Sequence, residues 1–488
     1  MENLNLFSKK KVELGEVVTN VKIVSENEIK EILSVRAEAF ATNAQSSADG
    51  IFVDGKVKTS VCFVNANGEV LMLNAESDFA DKKQVGFSLE NLSAIESVKV
   101  LSYSHLNNEI SISVEIKTAV CGTYSYLSEI DFGSDDLVFK TKEKECNKLV
   151  NFVHDNFMIS SEFADENATE IIDVNSTLFL EETVATVDKI IVSGKIFAEI
   201  LEKIETGVKT KREVVEFRQE IDAQGVLPGD SAEANLVIVS TLPNAEKTET
   251  GIAGTLAFNL SVNAYAYRQE MITLVEDLFS TKNVLNTAYK FAETTEYISC
   301  ENFEKTIETE VDVLDLFAFD ELNDVFCTNY VVDTVTFDSG KAQIQGNLKF
   351  NVYFLLENEI HSKNIEVPVC FEEEIGELED LTLEQVVVNN FEFKLRSGKF
   401  LDISAKMQIK FAKNRKNYEK YVNSYEISSE RENADSGIKV YVAKTGENSF
   451  DVAKAIGVRP EIVEKQNEER EVFDAGEKVY VYSPINLF

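Results

Sequence analysis

Few residues in this sequence are spaced for chemistry, and each candidate set lacks a partner that its chemistry needs. Residues 50–56 read Gly-Ile-Phe-Val-Asp-Gly-Lys, the opening of a phosphate-binding loop. That motif continues with Ser or Thr for magnesium and then a helix; here Val57 follows and the pattern is that of a strand. Asp131-Phe132-Gly133 copies the magnesium triplet of protein kinases, without the catalytic and glycine-rich loops that give it meaning. The only histidines, His105, His154 and His361, are far apart, and none has a second His or Cys within a few residues. A metal needs a convergent set of ligands. Glu372-Glu373-Glu374 has the charge to attract calcium, but three like charges in a row more commonly form a solvated loop. Spacing offers no Ser-His-Asp or Cys-His pairing. The expectation is a protein that is not an enzyme and holds no cofactor and no metal.

Charge sets the next bound. With 85 acidic and 48 basic residues among 488, the net charge is −37. Such a surface repels phosphate backbones and anionic membranes, so nucleic acid is excluded as an expected partner. One basic cluster interrupts the acidity: Lys406, Lys410, Lys413, Arg415, Lys416 and Lys420. It reads either as a solvated strand end or as a contact patch for the acidic surface of another copy. The six cysteines show no C-x-x-C spacing, and several stand in apolar runs such as Val61-Cys62-Phe63 and Val369-Cys370-Phe371. Buried free thiols of a reducing cytoplasm are expected. Residues 1–11 lack the apolar core of a signal peptide, and no run approaches the ~20 apolar residues of a membrane helix. No integral membrane segment is expected.

The elements that would carry any site repeat themselves. Three segments share a glycine followed by two apolar-alternating strands, led by Gly55, Gly194 and Gly346, 139 and 152 residues apart. Asn67-Gly68 marks a two-residue hairpin, since both turn positions need positive φ. A second strand pair follows each hairpin, at 98–104 with 109–120, 235–241 with 254–267, and 386–395 with 400–411. Joining segments at 129–136 and 276–283 resemble each other, with a weaker counterpart near 421–425. Dense turn signals and alternation predict a mainly β chain of three tandem antiparallel, sandwich-like modules over 1–142, 143–288 and 289–428. Residues 1–45 remain barely placed. Residues 428–437 form a polar linker to a final module over 438–488.

That final module has its own order of signals. Ile438, Val440 and Val442 alternate as in a half-buried strand. Asn448 or Ser449 can cap a helix whose Phe450, Ala453 and Ile456 share a face. Gly457 suits the position past a helix end, and Pro460 the first turn of a second helix. Val479 and Val481 alternate in a closing strand. This β-α-α-β segment resembles a LysM module, used in bacterial envelopes to hold glycan chains or protein partners. The resemblance implies a binding face at Gly446, Glu447, Asn448 and Ser449 and at Asn467, Glu468 and Glu469. The family's Gly-Asp-Thr-Leu turn is replaced by Gly446-Glu-Asn-Ser449, its frequent Trp is Phe450, and the second loop is acidic through Glu471.

Repeats followed by such a module resemble the SPOCS family of spore-forming Firmicutes. The resemblance implies a scaffold protein of spore coat assembly, cytoplasmic in the mother cell and acting at the forespore surface. Its partner would be a spore coat or envelope morphogenetic protein. The alternative is a protein whose LysM module binds peptidoglycan through N-acetylglucosamine.

Overall fold

The computed structural model describes residues 5–127, 130, 134–205, 207–375, 381–431 and 437–483. The chain is mainly β. Six strands form a first unit: β1 (Asn5–Val24), β2 (Ile29–Ser47), β3 (Gly50–Asn65), β4 (Val70–Lys83), β5 (Glu90–Leu106) and β6 (Glu109–Leu127). The second comprises β7 (Leu137–Asp165), β8 (Glu170–Thr186), β9 (Lys189–Ile204), β10 (Gly207–Asp222), β11 (Ser231–Lys247) and β12 (Ile252–Ser280). The third comprises β13 (Asn283–Asp312), β14 (Glu321–Asp338), β15 (Lys341–Leu356), β16 (Glu359–Glu374), β17 (Leu381–Arg396) and β18 (Phe400–Glu430). A tail adds β19 (Gly437–Val442), α1 (Ser449–Ile456), α2 (Pro460–Gln466) and β20 (Lys478–Ser483).

Every unit has the same topology. Its second, third and fourth strands make one antiparallel sheet, and its first, sixth and fifth strands make the other, with the sixth in the middle. The two sheets of a unit enclose one apolar core, for example Ile51, Val57, Val61, Ile112 and Val114 in the first. The sequence boundaries at 142/143 and 288/289 fall inside β7 and β13, because these long strands start earlier, at Leu137 and Asn283. Five prolines in 488 residues leave strands free to run this long.

The repeated glycines share one environment. Gly55, Gly194 and Gly346 lie on the central strands β3, β9 and β15, paired with Ala41, Leu180 and Val332. Each of those partners immediately precedes a bulge in the neighbouring strand. A Cβ on Gly194 would stand 2.2 Å from the Phe179 carbonyl oxygen, and one on Gly346 would stand 2.3 Å from that of Val331. Only glycine lets the bulged strand come this close. An aromatic ring covers each site: Phe79, Phe217 and Tyr330.

The three units meet one another. Leu33, Cys62, Val64 and Val70 of the first pack with Leu201 and Val208 of the second and Phe326 and Tyr353 of the third. A second joint gathers Tyr126, Cys146, Leu274, Ala292 and Tyr421, again one group from each unit. The apolar joints are reinforced by buried charge, as where Arg36 of the first unit pairs with Asp173 of the second.

Candidate functional site

Two places combine unusual chemistry with access: the tail and the junction of the three units. In the tail, Asn448 caps α1. Its side chain accepts the Asp451 N–H at 3.0 Å, and the Asp451 carboxylate accepts the Asn448 N–H at 3.1 Å. Gly457 ends the helix at φ 76°, and Pro460 opens α2. Phe450, Val452, Ala453, Val463, Val479 and Val481 form the tail's own buried core.

The expected face at 446–449 and 467–469 is largely occupied by its own turn. Glu447 accepts the Tyr441 hydroxyl at 3.0 Å and the Lys444 N–H at 2.8 Å. The Ser449 hydroxyl donates to Glu464 at 2.5 Å, and its N–H donates to the Glu471 carbonyl at 2.8 Å. Asn467 donates to the carbonyls of Val463 and Tyr480 and accepts the Tyr480 N–H at 3.0 Å, so it clamps α2 to β20. Gly446, Glu468 and Glu469 take left-handed turn positions at φ 79°, 60° and 56°.

One expectation reverses. Ile438, Val440 and Val442 do not face the core; Lys439 and Tyr441 take the inward parity, and the three aliphatic side chains point away. They pair across the ladder with Tyr482, Tyr480 and Lys478. Ile438, Val440, Val442, Tyr480 and Tyr482 are between 42% and 61% exposed, all on one face. Period-two alternation locates a strand but does not say which side is buried, and here the helices lie on the other side.

The tail is fixed to the body by its helical side. Phe450 meets Phe279 edge to face at 5.2 Å. Lys454 pairs with Asp277 at 2.6 Å, and Arg459 donates to the Asp135 carbonyl at 2.6 Å. Arg431, just before the tail, donates to the Lys454 carbonyl at 3.0 Å. The joining segment 276–283 seen in the sequence is thus the seat of the tail.

The basic cluster is not a free patch. It lies along β18, opposite the acidic alternation of β13. Lys406 pairs with Glu304 at 2.6 Å, Lys413 pairs with Glu301, and Arg415 stands opposite Glu296. Lys420 sits 4.0 Å over the Tyr289 ring, and Lys416 stands opposite Thr295. Lys410 is buried, its ammonium donating to the Leu180 carbonyl at 3.0 Å. Burial holds that ammonium below its ordinary value, although Cys300, Glu384 and Glu233 oppose the shift.

The remaining candidates scatter. Residues 50–56 open strand β3, and Asp131-Phe132-Gly133 lies outside the described residues. Glu372-Glu373-Glu374 is the end of strand β16 rather than a loop, with Glu372 and Glu373 paired to Lys341 and Lys305. His361 contacts Glu31 at 2.7 Å and stacks on Phe354; His154 bonds Asn263; His105 is exposed. Among the described residues no His, Cys, Asp or Glu set converges as a metal requires. All six cysteines are free, but only Cys62, Cys121 and Cys146 are buried. Cys370 is exposed, because alternation turns it outward between Val369 and Phe371.

At the junction lie charged residues that spacing did not single out. Arg36 of β2 grips Asp173 of β8 through Nη2 at 2.5 Å and Nε at 3.1 Å. Burial raises the Asp173 carboxyl above its ordinary value despite the pull of Arg36. Glu199 of β9 accepts the Thr328 N–H at 2.8 Å and its hydroxyl at 2.7 Å, and also binds Arg212 and Asn175. Lys9 of β1 meets Glu233 of β11 at 2.8 Å. Burial opposes the Lys9 charge, yet Glu233 holds the ammonium above its ordinary value. The available signal was interruption of an apolar run: Glu199 and Glu202, at opposite parities, stand inside the run 196–201 and its continuation, where both faces of the strand are buried.

No helix among the described residues is long and apolar enough to cross a membrane. No family model matches the chain, and neither the curated proteins nor the solved structures give a match to it.

Proposed function

We propose that this chain is a non-enzymatic assembly protein of the spore coat or envelope, with three β units as scaffold and a LysM-type tail as the head that binds a protein partner. The observation that supports this most is the outward face of the two-stranded tail sheet. Five large apolar side chains stand together there, and the helical side of the tail is already covered by the body. A contiguous exposed apolar face of this kind marks a protein contact more often than a sugar site. Sugars are held by polar groups and stacking in a shaped groove. At 446–449 and 467–469 most polar groups are engaged with each other, and the carboxylates left over would have to be desolvated without a counter-charge.

The test compares two ligands on the full chain. N-acetylglucosamine oligomers are titrated calorimetrically, and coat morphogenetic proteins of the parent cell are assayed against the chain and its Val440→Glu variant. Protein binding lost in Val440→Glu, with no sugar binding at micromolar levels, is the expected result. Micromolar sugar binding that disappears on altering 447–449 would instead establish the peptidoglycan reading.

A further inference from the structure

The tail sheet pairs only β19 with β20, so it has an edge on either side, and the chain treats the two differently. Along β20 the outer edge is closed by side chains from the end of α2. The Tyr480 N–H donates to Asn467 Oδ1 at 3.0 Å, and the Tyr480 carbonyl accepts Asn467 Nδ2 at 2.8 Å. Gln466 does the same for Tyr482, at 2.6 Å and 3.3 Å. These carboxamides stand where the peptide groups of a neighbouring strand would stand. We propose that the opposite edge, along β19, takes an extended segment of a partner protein as a further strand, with aliphatic side chains at alternate positions and lysine or arginine at its ends. This rests on the reading of the tail as a protein-binding head and adds how the partner is held.

Ladder parity fixes which backbone groups are free. In an antiparallel pair, facing residues either bond each other or both turn their N–H and C=O away. Tyr480 and Tyr482 turn theirs to α2, so their partners Val440 and Ile438 turn theirs to the far side of β19. Val442, opposite Lys478, shares that parity. Ala443 has the other parity, and its N–H donates back to the Glu477 carbonyl at 2.8 Å. No described residue bonds the backbone of Ile438, Val440 or Val442 across that open side. Natural sheets guard such an edge with proline, an outward charge, a bulge or a covering segment. The sequence of β19 has no proline, and its register with β20 runs without a shift. Its one lysine, Lys439, turns inward and donates to the Ile456 carbonyl at 2.9 Å. Ile438, Val440 and Val442 are each more than half exposed, so no described segment covers them.

These features select the occupant. N–H and C=O groups repeating at every second residue match another extended backbone, which completes the ladder. The β-branched side chains between them favour aliphatic neighbours on the same face of the added strand. The net charge of −37 steers in a segment with basic ends and repels one with acidic ends. A second copy of the chain brings the same −37 and is the poorer occupant.

The test titrates the full chain into a fluorescein-labelled, amidated peptide, Lys-Lys-Thr-Val-Thr-Val-Thr-Val-Lys-Lys, and reads fluorescence anisotropy. Valines that lie beside Ile438, Val440 and Val442 must turn their own N–H groups to β19, and the threonines must turn theirs away. N-methylation of the valine amides should therefore weaken binding at least about tenfold, and N-methylation of the threonine amides by less than about twofold. Replacing the terminal lysines with glutamate should weaken binding roughly tenfold at low salt, and less as salt is added. Val440→Pro removes the central N–H of the open edge and leaves the bonds between β19 and β20 in place. It should abolish binding, with melting checked separately. Equal loss from both methylated peptides, tighter binding of the glutamate-ended peptide, or no binding at millimolar peptide would overturn the proposal. A dimer in light scattering that Val440→Pro dissociates would assign the edge to a second copy and overturn it as well. If the peptide fails while coat proteins still bind and Val440→Glu blocks them, the edge proposal falls and the protein-binding head stands; sugar binding in place of protein binding removes the head itself. Should Val440→Pro fail to fold, the two methylated peptides on the native chain still decide.

Discussion

At the scale of single residues, this protein places charge where strands normally place hydrocarbon. Glu202 is fully buried and neither carboxylate oxygen has a partner. Burial, with help from nearby Asp165, pushes its carboxyl up from 4.5 to about 7. Between those values the folded chain binds a proton that the unfolded chain does not, so stability falls as pH rises through this window. One such group contributes a slope of at most about 1.4 kcal/mol per pH unit. Thermal melts from pH 5 to pH 8 should therefore show a falling Tm, and Glu202→Gln should flatten it; an unchanged slope in the variant would mean the proton sits elsewhere. The Arg36–Asp173 pair makes the complementary case. Removing one member leaves the other buried without its counter-charge, which costs about 3–5 kcal/mol. Arg36→Ala should lower stability in denaturant titration by that order, and Asp173→Asn in the Arg36→Ala background should recover part of it.

At the scale of elements, the glycine-bulge pair is the device that repeats. A methyl group at Gly194 would collide with the Phe179 carbonyl, a backbone atom that cannot rotate away, and with the Phe217 ring at 3.0 Å. Overpacking of this kind costs about 1–3 kcal/mol, so Gly194→Ala should lower the denaturant midpoint. Gly68→Ala has open space and should lose only the smaller cost of its positive φ of 82°. The hairpins these glycines lead were legible, because Gly and Asn-Gly punctuate clear alternation. The strand pairs after them were legible too, at 98–120, 235–267 and 386–411. The first two strands of each unit were not. β13 illustrates why: over 301–312 it carries Glu or Asp at alternate outward positions, so its apolar stripe of Phe303, Ile307 and Val311 is thin. Its partner is β18, whose paired residues lie 88 (Asp312 with Phe400) to 147 (Asn283 with Glu430) positions on, and no local signal names a partner at that separation. In the tail the cap, both helices and the closing strand were legible. The outward turn of Ile438, Val440 and Val442 was not, since parity alone does not tell inside from outside.

At the scale of the whole molecule, three units with one topology close on each other, and a fourth small element is anchored on the seam. The buried polar contacts of the junction, Arg36 with Asp173, Glu199 with Thr328 and Lys9 with Glu233, join strands of different units, so no stretch of sequence contains them. The anchor of the tail is smaller and can be broken selectively. Phe279 is 2% exposed and bridges β12 to Phe450, while Lys454 and Asp277 form the adjacent ion pair. The pair is partly exposed and contributes little by itself. The ring carries the contact, and truncating a buried Phe to Ala costs about 3–5 kcal/mol. Because Phe279 belongs to the tail's core cluster rather than to the large core of the second unit, that loss should fall on docking and leave the unit folded. In Phe279→Ala the tail should swing away from the body: the radius of gyration in solution scattering should increase, and the peptide bonds after Arg431 should become the first cut by protease. Lys454→Glu alone should shift both readouts far less. If Phe279→Ala keeps the compact scattering profile and the protease resistance of the native chain, the contacts of Arg431 and Arg459 hold the tail, and the head is presented by hydrogen bonds to backbone rather than by an aromatic latch.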